Sequence, residues 1–135
     1  NFKKLWKLMY ERYTEYWELD NLIWDLGLSE RGEDYRKWYP GDKYVDIAGA
    51  DSYIDGPNEN LYKNVKNVVG RKMPICFHEC GKIPTVDELH SAKANWVWFM
   101  AWHTEYMVDR NEIDDLYEIY NDEYVITLDE LPKWQ

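Results

Sequence analysis

A chain of 135 residues that is 45% hydrophobic and 17% aromatic has the size of one domain and enough apolar side chain to bury a core. Its 26 acidic residues against 16 basic ones leave a formal charge of −10, which argues against nucleic acid and anionic membranes as partners. No run is long and apolar enough to span a bilayer and no signal-peptide pattern is visible, while eight Trp and twelve Tyr exceed what a core of this size needs.

Phe2, Leu5, Trp6, Met9, Tyr13, Tyr16 and Trp17 recur at helical spacing and predict an amphipathic helix over residues 2–18. A chain that begins inside a helical pattern reads as cut rather than complete. Leu22-Ile23-Trp24 predicts a short strand, and residues 27–42, with Gly27, Gly32, Pro40 and Gly41, predict a long polar loop. Tyr44-Val45-Asp46-Ile47-Ala48-Gly49 predicts a second strand, with its mouth at Asp51-Ser52-Tyr53. A helix over 59–69 follows, with Leu61, Val65, Val68 and Val69 as its inner stripe and Gly70 as its C-cap. The apolar run Met73-Pro74-Ile75-Cys76-Phe77-His78 predicts a third strand that ends at Glu79, directly before Cys80-Gly81. Thr85 and Glu88 have capping-box spacing at the next helix. Trp96-Val97-Trp98-Phe99-Met100-Ala101-Trp102 predicts a fourth strand, with His103-Thr104-Glu105 beyond it. A helix near 112–121 and an extended tail around Tyr124-Val125-Ile126 complete the chain.

The apolar runs centre on Ile23, Ile47, Ile75 and Phe99, which are 24, 28 and 24 residues apart. That period, with helices between the runs, indicates an α/β fold with a parallel sheet covered by helices. Four strands make half of an eight-stranded barrel or a small open sheet, and periodicity alone does not separate the two.

A carboxylate at a strand end beside a chain-turning glycine is costly to desolvate, so Glu79 is either paired or used for chemistry. Strict alternation turns Glu79 to the same face as Phe77 and Ile75, with Cys76 and His78 facing the helices. Trp102 then meets Glu79 at the mouth of adjacent strands, and Tyr53 reaches Glu79 with its hydroxyl. A phenol-to-carboxylate hydrogen bond orients an ionised nucleophile. Asp51 and His103 at the strand mouths are either ligand contacts or solvated groups. Cys76 and Cys80, about 13 Å apart along one strand, are too distant for a disulfide and read as free, buried thiols. Cys76, His78 and Cys80 alternate on one strand, but that spacing is not a zinc pattern, so no metal is expected. No phosphate loop, serine elbow or dinucleotide fingerprint is present, so no cofactor is expected either, and carboxylate chemistry or binding remains.

Leu19-Asp20-Asn21-Leu22-Ile23-Trp24, Trp38-Tyr39-Pro40-Gly41-Asp42 with Tyr44-Val45-Asp46-Ile47, His78-Glu79-Cys80-Gly81 and Met100-Ala101-Trp102-His103 occur in this order. Together they resemble the C-terminal half of β-mannanases of glycoside hydrolase family 26, over about residues 2–131. The resemblance implies strands five to eight of a (β/α)8 barrel, with residues 1–135 as a single partial domain. It implies a retaining endo-β-1,4-mannanase acting on β-mannan, glucomannan or galactomannan, with Glu79 as nucleophile after the seventh strand and Tyr53 bonding it. It implies Trp102 as the sugar platform, His103 beside it, Trp24 near the cleft at the fifth strand, and an extracellular setting.

The chain departs from the family pattern in two places. The general acid/base glutamate of the fourth strand has no counterpart here. Asp25-Leu26-Gly27-Leu28-Ser29-Glu30 also follows Trp24 where the family has more apolar residues. A retaining glycosidase needs two carboxyl groups about 5–5.5 Å apart, so Glu79 by itself is half of a catalytic pair. The expected partner is therefore a missing N-terminal half-barrel, or a second copy of this one. A non-catalytic carbohydrate-binding or engineered half-barrel is the alternative, with Trp102 and Trp24 as stacking plates.

Overall fold

The computed structural model describes residues 1–32 and 34–133, so residue 33 of the expected 27–42 loop lies outside the described residues. Four strands form one parallel sheet in sequence order: β1 Asp25–Ser29, β2 Ile47–Ser52, β3 Ile75–Cys80 and β4 Phe99–Ala101. Helix α1 (Phe2–Glu11) precedes β1, α2 (Glu59–Lys66) joins β2 to β3, and α3 (Val86–Ser91) joins β3 to β4. Two helices follow β4, α4 (Glu105–Val108) and α5 (Ile113–Tyr120). Between β1 and β2 the described residues form only two short 3-10 turns, Tyr35–Lys37 and Asp42–Tyr44. The α/β class and the parallel sheet are as the sequence predicts.

The sheet has one covered and one open face. Leu26, Leu28, Ala48, Ala50, Ile75 and Phe77 pack with Leu61, Tyr62 and Val65 of α2 and with Leu89 of α3. Trp96 stacks on Phe77 at 4.9 Å, meets Tyr62 edge-on, and donates its indole N–H to the Pro57 carbonyl. The other face carries Asp25, Gly27, Gly49, Asp51, Cys76, His78 and Met100, and no described element covers it.

The facing of β3 differs from simple alternation. Between one paired position and the next, β2 advances from Gly49 to Asp51 while β3 advances from Cys76 to Glu79. On the other side β4 advances from Phe99 to Ala101 while β3 advances from Phe77 to Cys80. One extra residue therefore sits in β3, a β-bulge that both neighbours register. Below it, Ile75 and Phe77 face the helices and Cys76 and His78 face the open side, the reverse of the expectation. Above it, Glu79 shares the open face with Asp51, and Cys80 is buried on the covered side.

The first strand lies later than predicted. Leu22-Ile23-Trp24 is not a strand, and Ile23 is 75% exposed. The strand is Asp25–Ser29, in which Leu26 and Leu28 alternate inward. Gly27, which reads as a turn residue, lies in its centre because the His78 ring occupies the space above it. A Cβ at Gly27 would stand 2.7 Å from His78 Cδ2, and one at Gly49 would stand 2.5 Å from His78 Cβ. The second strand likewise starts at Ile47, after the turn at Asp42–Tyr44. The fourth contracts to Phe99–Ala101.

The long N-terminal helix divides into α1 and a π-helical turn over Arg12–Tyr16, closed by Trp17 N–H to the Arg12 carbonyl at 3.1 Å. Glu18 at φ 52° then ends it. Thr85 and Glu88 form the expected capping box on α3. Gly70 is not the cap of α2, which ends at Asn67; its N–H instead donates to Asp42 at 3.1 Å. The tail near Tyr124 forms turns and a 3-10 helix over Leu128–Glu130 rather than an extended segment. Cys76 and Cys80 are free and buried.

Gly27→Ala is expected to lower stability by about 1–3 kcal/mol through the collision with the His78 ring. In a His78→Ala background the same change should cost about 0.5 kcal/mol or less. Denaturant midpoints of the four proteins measure that coupling.

Candidate active site

The bulge sets Glu79 at the end of β3 on the open face. Tyr53, the first residue beyond β2, donates its hydroxyl to Glu79 Oε1. Burial, first, and then the hydrogen bond to Glu79 raise the Tyr53 phenol above its ordinary value, so it stays a proton donor. The Tyr53 ring packs edge-on against Tyr106 of α4, with centroids 4.9 Å apart. Gly81 is required on its other side: a Cβ there would lie 2.8 Å from Tyr53 Cδ1 and 3.3 Å from Arg110 Nη1. Buried Asn111 fastens this corner. It accepts from the Ile83 N–H at 2.9 Å and donates to the Tyr106 carbonyl at 2.6 Å.

Asp51 stands opposite Glu79 across β2 and β3. Burial, first, and then the Glu79 charge raise its carboxyl above the usual range, and His78 opposes that rise. Glu30, just past β1, donates its N–H to the Asp51 carbonyl at 2.8 Å and accepts the buried Ser52 hydroxyl on its carboxylate. Nothing in the hydrophobic pattern singled out Glu30, because its strand was placed too early.

Trp102 donates its N–H to the Cys80 carbonyl at 2.9 Å, which holds it one step beyond Glu79 on the neighbouring strand. Its exposed ring lies 5.1 Å from His103, and His103 lies 6.5 Å from Tyr106. Trp102, His103, Tyr106 and Tyr53 thus form one run of neighbouring rings that reaches Glu79 through the Tyr53 hydroxyl. Tyr106 belongs to an unpredicted helix, although its place four residues after Trp102 in an aromatic stretch was a usable signal.

Trp24 is not among these residues. It precedes β1, at the end of the sheet opposite Glu79, and is buried among Trp6, Tyr10 and Tyr13 at centroid distances of 5.8, 5.1 and 6.0 Å. Its backbone N–H donates to Asp46 at 2.8 Å. The ring anchors α1 to the base of the sheet, and the expected cleft position does not hold.

Lower on the open face, His78 Nδ1 meets Asp25 Oδ2 at 2.9 Å. That bond raises the imidazole above its ordinary value against the opposing effect of burial. Burial and Asp25 likewise push the Cys76 thiol upward. Cys80, on the other face, is pushed up to about 12, by burial first and then by Glu79.

The family model of Glycosyl hydrolase family 26 matches residues 1–130. A mannan endo-1,4-beta-mannosidase of Thermothelomyces thermophilus is 34% identical over 98% of this chain and 27% of its own length. The crystal structure of the Podospora anserina GH26-CBM35 beta-(1,4)-mannanase superposes with a TM-score of 0.84 at 41% identity, covering 95% of this chain and 29% of that one. A ruminal GH26 endo-beta-1,4-mannanase gives a TM-score of 0.87 at 33% identity, covering 98% and 31%. The chain therefore spans between a quarter and a third of the length of these relatives.

The raised Asp51 carboxyl has a stability consequence. An unfolded aspartate titrates near about 3.9, and the native one titrates higher. Between the two values the native state holds more protons, so this group's contribution to stability falls as pH rises through that window. Asp51→Asn is expected to be more stable than the parent at neutral pH, with the difference closing below about pH 4. Urea midpoints measured across that range check it.

Proposed function

Because the chain belongs to glycosyl hydrolase family 26, we propose that it supplies strands five to eight, and the catalytic nucleophile, of a retaining endo-β-1,4-mannanase. The observation that carries this is the Tyr53 hydroxyl bonded to Glu79 at the open-face mouth of the sheet, beside the exposed Trp102 ring.

In this mechanism a mannan segment lies across the strand ends with one sugar ring on Trp102. Apolar sugar faces pack on aromatic rings, and His103 borders that platform toward the next sugar. Tyr53 holds one oxygen of Glu79, and the other attacks the anomeric carbon as the glycosidic C–O bond breaks. A carboxylic acid about 5–5.5 Å from Glu79 protonates the leaving oxygen, then deprotonates the water that releases the sugar. Asp51 contacts the substrate from the β2 mouth and adds to the negative field that favours an oxocarbenium-like transition state.

The acid belongs to the strands that complete the barrel. Among the described residues β1 and β4 are unpaired edges, and the face bearing Glu79 is uncovered. Open edges and an uncovered face are what a further half-barrel would occupy. The same proposal has the complete enzyme act outside the cell, where mannan is met.

In the complete enzyme, Glu79→Ala is expected to lower kcat on mannan by about 10⁴-fold or more while mannooligosaccharide binding survives. Trp102→Ala should mainly weaken that binding. Unchanged turnover in the Glu79 variant would remove the nucleophile assignment.

A further inference from the structure

Asp25 of β1 and Cys76 and His78 of β3 bring a carboxylate oxygen, a thiol sulfur and an imidazole nitrogen within 4.8 Å of one another on the open face. Among the described residues no other trio of His, Cys, Asp and Glu donors comes as close. None of the three takes part in the Tyr53–Glu79 hydrogen bond. We propose that Asp25, Cys76 and His78 form a zinc site, with three protein ligands at three corners of a tetrahedron.

The donor set differs from the one the sequence suggested. Cys76, His78 and Cys80 alternate in sequence, but the bulge sends Cys80 to the covered face, where its thiol meets the Met100 carbonyl at 3.4 Å. Asp25 replaces it from two strands away. That reach depends on the glycines between: Gly27 and Gly49 leave room for His78 to lie across β2 toward β1. The ligands therefore come from two separate strands, which a single-strand spacing does not reveal.

The spacings suit the ion. Zn–S, Zn–N and Zn–O bonds at tetrahedral angles imply about 3.5 Å between sulfur and oxygen and about 3.3 Å between nitrogen and oxygen. Cys76 Sγ lies 3.7 and 3.8 Å from the two Asp25 oxygens, and His78 Nδ1 lies 2.9 Å from Oδ2. A swing of the carboxylate by a few tenths of an ångström meets both values. Thiolate and imidazole favour zinc over calcium and magnesium, which take oxygen ligands. Among the described residues the His78 side chain is 33% exposed and that of Asp25 19%, while Cys76 is fully buried between them and the sheet. A bound ion would staple β1 to β3 across β2.

The test uses the full polypeptide that carries this chain, stripped with chelator and titrated with Zn²⁺ alone and separately with Co²⁺. The expected result is one equivalent of zinc bound, a higher melting temperature with zinc, and a thiolate-to-cobalt charge-transfer band. Cys76→Ser should abolish that band. Cys76→Ser and the nearly isosteric Asp25→Asn should each weaken zinc binding by about 100-fold or more, beyond the loss typical of outer-shell changes. His90→Ala, which removes a surface imidazole paired with Asp122, should change neither. Circular dichroism of each metal-free variant establishes that it is folded. Absence of stoichiometric uptake by the folded parent, or unchanged affinity in a folded Asp25→Asn or Cys76→Ser protein, overturns the site. Because metal uptake is read without turnover, this outcome is independent of the mannanase proposal.

Discussion

One inserted residue in β3 sets the chemistry of the open face. Without it, strict alternation would put His78 and Cys80 on one side of the sheet and Glu79 on the other. With it, His78 and Glu79 both face the open side while Cys80 returns to the core. A bulge beside a site is a common way to re-aim a side chain. The local cost is an interrupted ladder, offset here by a dense set of partners. Tyr53 holds Glu79, and Asp25 holds His78.

The small residues beside the bulge make room for His78. β2 runs Ala48-Gly49-Ala50 through the centre of the sheet. Its alanines admit the α2 stripe on one face, and its glycine admits the His78 ring on the other. Large aromatic side chains fill what remains at the ends: Trp24 with Trp6, Tyr10 and Tyr13 at the base, and Tyr53 with Tyr106 at the mouth. The high aromatic content is thus divided between two tasks. Part of it locks helices to the sheet, and part lines the candidate site.

The parallel α/β class, the order of the elements and the capping box at Thr85 were all legible in residue patterning. So was the pairing of Tyr53 with Glu79, because strand ends in a parallel sheet converge on one rim. The facing of β3 was not legible, since a count of alternating positions carries no sign of an extra residue. Gly27 misled for a related reason: its role is to yield space to His78, a contact across two strands that local sequence does not encode. That reading moved β1 earlier and hid Glu30. Tyr106 and Asn111 were missed because their partners, Tyr53 and Ile83, lie far back along the chain.

The Asn111 clasp ties the timing of site assembly to the direction of synthesis. Tyr53 and Glu79 leave the ribosome before Tyr106, and Tyr106 before Asn111. The side chain that bonds Glu79 therefore lacks its backing ring until α4 has emerged and Asn111 has closed on Ile83. The fourth strand ends at Ala101, ahead of that moment. A nascent chain halted just after β4 would hold all four strands yet lack the Tyr106 ring that backs Tyr53. Shape is acquired first, and the poised carboxylate only as the last third of the chain is made.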